Sequence, residues 1–268
     1  PSRSLSRSKR PFNNMKKNVF VFIIITLILG CKNQKYYTEL IINPVLEREN
    51  MNHIQQEIDD IYSLLTYSLV YKDWQPESLP RSKRRGYNIG ALLVDKNNLP
   101  VKFELNCINS TDNATQHGEV RAITSYLENT RSFNLSGFTV YTTLEPCVMC
   151  AGMMTMTAVK RVVYGQRDVE YSKAFERLAI DTRPIGGFAP YPRRVLAQAS
   201  DIQYCKDLDM MYREFLEKDD EKILAKFLAS NQAKEVYQRA TDQFLNYKVN
   251  FDENRSIYQR ALEFYISK

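Results

Sequence analysis

Two short runs constrain this chain more than anything else in it. His117-Gly118-Glu119 is followed, 26 residues after Glu119, by Glu145-Pro146-Cys147-Val148-Met149-Cys150. One imidazole and two thiolates are three ligands of the kind zinc takes in a tetrahedral site, with the fourth position left to water. The chain must therefore fold so that both runs meet at one point. Residues 117–128 and 148–157 read as helices, which puts each run at a helix start. Two cysteines three apart at a helix N-terminus present both sulfurs to one point, and the helix dipole there favours thiolate. Glu119 lies two residues from the imidazole, near enough to move protons without binding metal.

Other readings of the parts are weaker than the whole. A Cys-x-x-Cys alone serves as a redox pair or as half of a structural zinc knuckle. A knuckle needs a second pair, and the sequence has no other Cys-x-x-Cys and only one other histidine, His53. A redox pair has no need of His-x-Glu upstream. Five cysteines in 268 residues do not make a disulfide scaffold. The 44% hydrophobic and 25% charged content excludes a largely disordered or fibrous chain. The net charge of +6 is mild. Arg3, Arg7, Lys9, Arg10, Lys16 and Lys17 supply much of it, so composition alone does not call for nucleic acid.

Hydrophobic periodicity places the motif in an α/β fold. Ile54, Ile58, Ile61 and Leu65 have helical spacing, in a helix running to about Lys72. Residues 75–86 form a loop with two prolines and a basic cluster at Arg81, Lys83, Arg84 and Arg85. Strands are expected at Tyr87–Val94, Val101–Leu105, Phe138–Thr143, Val159–Tyr164 and Val195–Ile202, with a helix from Asp207 to Lys218. Helices interleaved with strands through short connections imply a three-layer α/β/α sandwich around a central mixed sheet of about five strands. Residues 219–268 contain no glycine or proline and read as an added C-terminal helical segment with fragments of apolar stripe.

Longer stretches around the motif carry a family resemblance. Thr143-Leu144-Glu145-Pro146-Cys147-Val148-Met149-Cys150-Ala151-Gly152, Val159-Lys160-Arg161-Val162-Val163-Tyr164-Gly165 and Ile89-Gly90-Ala91-Leu92-Leu93-Val94 resemble the zinc-dependent cytidine deaminase-like superfamily, in its bacterial tRNA adenosine deaminase and nucleobase deaminase branch. His-x-Glu followed by Pro-Cys-x-x-Cys is that superfamily's signature. The likeness covers about 52–217, with Met211-Tyr212-Arg213-Glu214-Phe215 similar to the last family helix. It implies that His117, Cys147 and Cys150 bind one zinc ion per chain and that Glu119 is the catalytic proton shuttle. It places Asn106, Glu145 and Pro146 at the substrate and implies a homodimer. Read on its own, Asn106 is equally a strand-end turn residue. Three departures stand out, one being that the loop 75–86 is longer and more basic than the resemblance leads one to expect. The usual motif has alanine where this chain has Gly118, and the family's glycine-rich segment after Asp168 is replaced by Val169-Glu170-Tyr171-Ser172-Lys173-Ala174-Phe175.

The expected reaction is hydrolytic conversion of an amino-substituted nucleobase to its keto form with release of ammonia. The base is free, in a nucleoside or in nucleic acid. Alternatives are tRNA-specific adenosine-to-inosine deamination, and a non-catalytic structural-zinc protein with a helical partner-binding module. Residues 15–31, MKKNVFVFIIITLILGC, have the layout of a lipoprotein signal segment, with a basic start, an apolar run and Gly30 before Cys31. Lipidation at Cys31 would hold the protein on a membrane surface in the cell envelope; without it the chain is cytoplasmic. The expected organisation is therefore 1–31 as extension and signal segment, 32–51 as linker, 52–218 as deaminase domain and 219–268 as helical extension.

Overall fold

The computed structural model describes residues 53–218 and 223–268. The signal segment, Cys31 and the expected linker lie outside them. Of the described residues, Ile180–Ala189 group apart from the rest. They form a turn closed on itself, with the Thr182 N–H donating to the Phe188 carbonyl, the Phe188 N–H donating to Thr182 Oγ1, and Asp181 paired to Arg183. The rest form one unit.

In chain order that unit has α1 (His53–Lys72), β1 (Gly90–Val94), β2 (Pro100–Leu105), α2 (Gly118–Thr130), β3 (Thr139–Leu144), α3 (Val148–Met156), β4 (Arg161–Gln166), α4 (Ala174–Leu178), β5 (Leu196–Ala199), α5 (Gln203–Lys218), α6 (Leu224–Phe227), α7 (Asn231–Leu245) and α8 (Arg255–Ile266). The sheet order is β2-β1-β3-β4-β5. β1 is antiparallel to β2 and β3, while β3, β4 and β5 run parallel. This is the expected five-stranded mixed sheet. The β1–β2 hairpin turns on Asp95, whose Oδ1 accepts from the backbone N–H of Asn97 and Leu99.

Strand alternation splits the core in two. Ala91, Leu93, Val140 and Val162 face one side, where Ala122 and Ile123 of α2 and Ala151 and Met154 of α3 cover them. Leu92, Val94, Tyr141 and Val163 face the other, beneath α1 and α5. Tyr87 to Ile89 are not strand, because the Tyr87 N–H is taken by the Asn106 side chain and Ile89 N–H turns back to the Tyr87 carbonyl. α4 arises in a stretch where hydrophobic spacing gives no signal.

α1 is buried on nearly every side between Glu57 and Val70, far beyond its Ile54-Ile58-Ile61-Leu65 stripe. The reason is a further layer. α7 and α8 share one apolar core with α1: Ala233, Val236, Tyr237, Ala240 and Phe244 of α7 and Ile257 and Ala261 of α8 are all buried in it. The Tyr237 ring lies 4.7 Å from Tyr67 and 5.0 Å from Trp74. Ser230 caps α7, its hydroxyl accepting from the Ala233 N–H. No helix of the described residues is long and apolar enough to cross a membrane.

Two buried carboxylates fix α1 between these layers. Glu57 accepts from the backbone N–H of Asn250 and Phe251 and from Asn254 Nδ2 at 2.8 Å, tying α1 to the turn before α8. Asp59, 1% exposed, accepts from Tyr141 Oη at 2.6 Å and from both terminal nitrogens of Arg161 at 2.6 and 3.3 Å. Arg161 is itself only 4% exposed. Removing one partner of such a buried pair leaves an uncompensated charge. Asp59→Asn should lower unfolding stability by about 3–5 kcal/mol in urea titrations. Adding Arg161→Met should recover much of that loss, because the pair is then removed whole.

Candidate metal centre and catalytic site

The two motif halves sit where two helices begin. His117 is the N-cap residue of α2 and Cys147 that of α3, and neither side chain caps its own helix. Their carbonyls start the helices, accepting from Arg121 and Ala151 N–H. Their side chains are free to point at each other across the end of the sheet. Cys150, in the first turn of α3, completes the group.

His117 Nδ1 lies 3.7 Å from Cys147 Sγ and 3.6 Å from Cys150 Sγ, and the two sulfurs are 3.7 Å apart. A tetrahedral zinc with Zn–N of about 2.0–2.1 Å and Zn–S of about 2.3 Å requires ligand–ligand edges of roughly 3.5–3.8 Å. The three atoms therefore form one face of such a tetrahedron, and the donor set fits zinc. Among the described residues no fourth histidine, cysteine or carboxylate joins the group. A three-ligand site with one position left over is the catalytic rather than the structural pattern.

The electrostatics suit a metal ligand set. The Cys147 thiol is drawn down to about 4, chiefly by its hydrogen bond with Cys150 and then by His117, against the effect of burial. Cys150 is pushed well up by its hydrogen bond with Cys147 and by burial. A bound cation would favour the thiolate form of both. His117 is raised by its hydrogen bond to Cys147.

Glu119 is 3% exposed, in the first turn of α2. Its Oε1 accepts from Thr142 Oγ1 at 3.2 Å. Burial raises its carboxyl above the ordinary value, and its own backbone N–H, the His117 charge and Thr142 offset part of that. Thr142 had no signal in the sequence beyond strand alternation; only the register with Ala91 shows that it faces α2.

The remaining sequence candidates divide. Asn106 is 1% exposed at the end of β2. Its Oδ1 accepts from Tyr87 N–H at 3.1 Å and Ile108 N–H at 3.4 Å, while its Nδ2 donates to nothing among the described residues. It is therefore a turn residue with a donor to spare. Glu145 has both oxygens engaged, accepting from Lys173 N–H at 2.8 Å and Asp168 N–H at 3.3 Å. It fastens the segment that stands where the family has its glycine-rich run. Asp168 continues that segment as a turn, accepting from Glu170 and Tyr171 N–H, and α4 follows. Burial raises the Glu145 carboxyl, and the Lys173 N–H offsets part of this. Pro146 is buried between Glu145 and the ligand Cys147. Cys107 and Cys205 are buried free thiols, the latter pushed up to about 12 by burial.

Gly118 also acquires a reason. A Cβ there would lie 2.8 Å from the Glu104 carbonyl and 3.2 Å from the Ala91 nitrogen, both backbone. α2 begins closer to the β1–β2 pair than a side chain permits. Gly118→Ala, although it restores the usual motif, should cost about 1–3 kcal/mol in thermal unfolding. Separately, His117→Ala and Cys150→Ser should each lower the zinc retained after dialysis by more than tenfold, read by elemental analysis, with helical circular dichroism kept.

Residues 76–166 match the family described as "Cytidine and deoxycytidylate deaminase zinc-binding region". The tRNA-specific adenosine deaminase of Rickettsia bellii is 36% identical over 84 residues, which is 31% of this chain and 58% of that one. The "Probable cytosine deaminase" of Schizosaccharomyces pombe is 31% identical over 113 residues, 40% of this chain and 68% of that one. A solved structure from studies of tRNA:A34 deaminases aligns at 28% identity and a TM-score of 0.32, covering 41% of this chain and 82% of that one. The chain spans about half the length of several curated relatives, from 46% to 58% of three of the tRNA-specific deaminases. With the motif on the elements the family requires and its ligand atoms at zinc spacing, the chain belongs to the zinc-binding cytidine and deoxycytidylate deaminase family.

Proposed function

We propose that the protein is a hydrolytic deaminase that replaces the exocyclic amine of a nucleobase with oxygen and releases ammonia, using one zinc ion per chain. The observation that carries this reading is Glu119, a buried carboxylate two residues from the ligand His117 and outside the ligand set. A structural zinc site has no use for a buried carboxylate there, since it adds the cost of burying a charge. Zinc held by His117, Cys147 and Cys150 supplies a Lewis acid that makes hydroxide available near neutral pH.

The chain's own residues do the rest. Glu119 takes one proton of the attacking water and gives it to the ring nitrogen, then takes the second from the new hydroxyl and gives it to the departing amine, ending as the carboxylate it began as. The Thr142 hydroxyl holds one oxygen and so leaves the other for this transfer. Asn106 has an amide N–H to offer an acceptor on the base or sugar. Glu145 and Pro146 act by holding the ligand loop and the segment after β4 in place.

The tRNA-specific relatives favour adenosine in a tRNA as a second substrate reading. The Ile28-Leu29-Gly30-Cys31 sequence supports lipidation at Cys31 and a place on the cell envelope, which would favour small substrates over intracellular tRNA; incorporation of a labelled fatty acid tests it. A homodimer rests on the family resemblance, and sedimentation tests it.

The function is tested by ammonia release from a panel of bases, nucleosides and an unmodified tRNA. Glu119→Ala should lower turnover by about 10²–10⁴-fold with zinc content unchanged. Full ammonia release from Glu119→Ala would overturn the mechanism, and so would an active protein holding much less than one zinc per chain.

A further inference from the structure

Residues 85–89, the run of chain that leads into β1, cross Asn106 as a strap. Arg85 donates to the Asn106 carbonyl at 2.6 Å, and Tyr87 N–H donates to Asn106 Oδ1 at 3.1 Å. Asn106 N–H donates to the Ile89 carbonyl at 2.9 Å. Gly86 lies flat on the same residue: a Cβ there would sit 2.6 Å from the Asn106 carbonyl oxygen and 2.9 Å from its carbon. The Arg85 carbonyl accepts from Asn109 and Ser110 N–H in the turn that follows. Apart from Nδ2, each polar atom of Asn106 is engaged by the strap.

The strap is fastened in turn to the layer after residue 222. Asn88, 2% exposed, is the fastening point. Its Nδ2 donates to the Leu228 carbonyl at 2.9 Å and to the Gln75 carbonyl at 2.8 Å, and its Oδ1 accepts from Gln75 N–H at 3.1 Å. Its own carbonyl accepts from Tyr237 Oη of α7 at 3.3 Å. The Tyr237 ring is packed on Tyr67 and Trp74, so the hydroxyl is aimed from a fixed ring. The loop 75–86 and the segment 223–229 line a cavity of about 440 Å³ on this side. Apolar packing there is incomplete, and the connection rests on these bonds and on Glu77 N–H, which donates to the Ala229 carbonyl at 3.0 Å. Leu228 and Tyr237 lie beyond residues 76–166 that match the family.

We propose that the layer 223–245 sets the position from which Asn106 Nδ2 meets the substrate, with Asn88 and Tyr237 as positioning residues that act through the strap. The helices after residue 222 then belong to the nucleobase site, and not to a separate partner-binding module. A donor already held in place costs less to bring to a ligand than one that must be ordered on binding. What Asn106 touches rests on the deaminase reading; the link from Tyr237 to Asn106 does not.

The test uses the full chain and the nucleobase substrate that it turns over fastest. Tyr237→Phe keeps the ring and removes the hydroxyl, while Asn88→Ala removes the fastening point. KM should rise about threefold in the first and about tenfold or more in the second, with kcat kept, since the metal ligands and Glu119 are untouched. Tyr258→Phe is the control. Its hydroxyl belongs to the same layer and donates to the Phe244 carbonyl at 2.8 Å, away from the strap. It should lower stability to urea much as Tyr237→Phe does, with KM unchanged. In an Asn106→Ala background, Tyr237→Phe should raise KM no further. Wild-type KM in Tyr237→Phe and Asn88→Ala overturns this role. An equal rise in Tyr258→Phe overturns it too, as general loosening, and so does a full additional rise in the Asn106→Ala background. A readout that needs no turnover is the Asn106 side-chain amide signal in NMR of protein carrying isotope-labelled asparagine, identified by its loss in Asn106→Ala. Tyr237→Phe should shift that signal and Tyr258→Phe should not; no shift in Tyr237→Phe overturns the link. A shift in a protein that releases ammonia from nothing keeps the link and overturns the deaminase reading instead.

Discussion

The carboxylate of Asp59 is the point on which the layers are fixed. It lies inside the molecule, on a helix, and meets Tyr141 of β3 and Arg161 of β4 with short hydrogen bonds. Those two strands carry the site: Thr142 lies next to Tyr141, and the loop after β3 delivers Cys147. A buried ion pair adds little net stability over an apolar alternative, but breaking it is costly, so α1 is held where Asp59 meets both strands. Glu57, two residues earlier, does the same for the other side of α1 by gathering the turn before α8. One helix thereby serves as the core of two layers, tied to each by a buried carboxylate.

Upon that frame the chemistry is assembled from two helix N-termini. α2 and α3 begin at the same end of the sheet, and each presents its N-cap side chain to the other instead of capping itself. The positive ends of both helices favour the thiolates. Close approach is what makes this work, and Gly118 is where it shows: the backbone of α2 touches that of β1 and β2 with no room for a side chain. Glu119 is carried into the interior by the same approach, where Thr142 is its hydroxyl partner. The segment after β4, which departs from the family pattern, is tied to the ligand loop through Glu145, so the departure leaves the metal centre intact.

Legibility in the sequence followed the kind of interaction. The five strands and the helices α2 and α3 were readable because period-two and period-3.6 patterns report local burial. α1 was readable as a helix, but not as one buried on all sides, because Ser63, Thr66 and Ser68 look solvent-facing until their partners are known. Thr66 and Ser68 bond back to their own helix, and Ser63 meets Ser200 from beyond β5. The helices after residue 222 read as an appendage, since their stripes are short and interrupted; in the fold Tyr237 and Phe244 are among the largest fully buried side chains. Asn106 could be read either way, and it serves the turn with its oxygen while keeping its amide nitrogen available.

Spacing within a helix start is a local property, so His117, Cys147 and Cys150 mark a candidate metal site, and Glu119 a candidate proton carrier beside it, before any fold is known. Only packing brought together what surrounds those residues: that Thr142 meets Glu119, that Gly118 is demanded by contact, and that a loop at 75–86 and a segment at 223–229 line one cavity. Thr142 and Glu119 are 23 positions apart, and Asn88 and Leu228, bonded beside the cavity, are 140 apart. Such pairings depend on register, helix placement and burial, which no short window of sequence encodes.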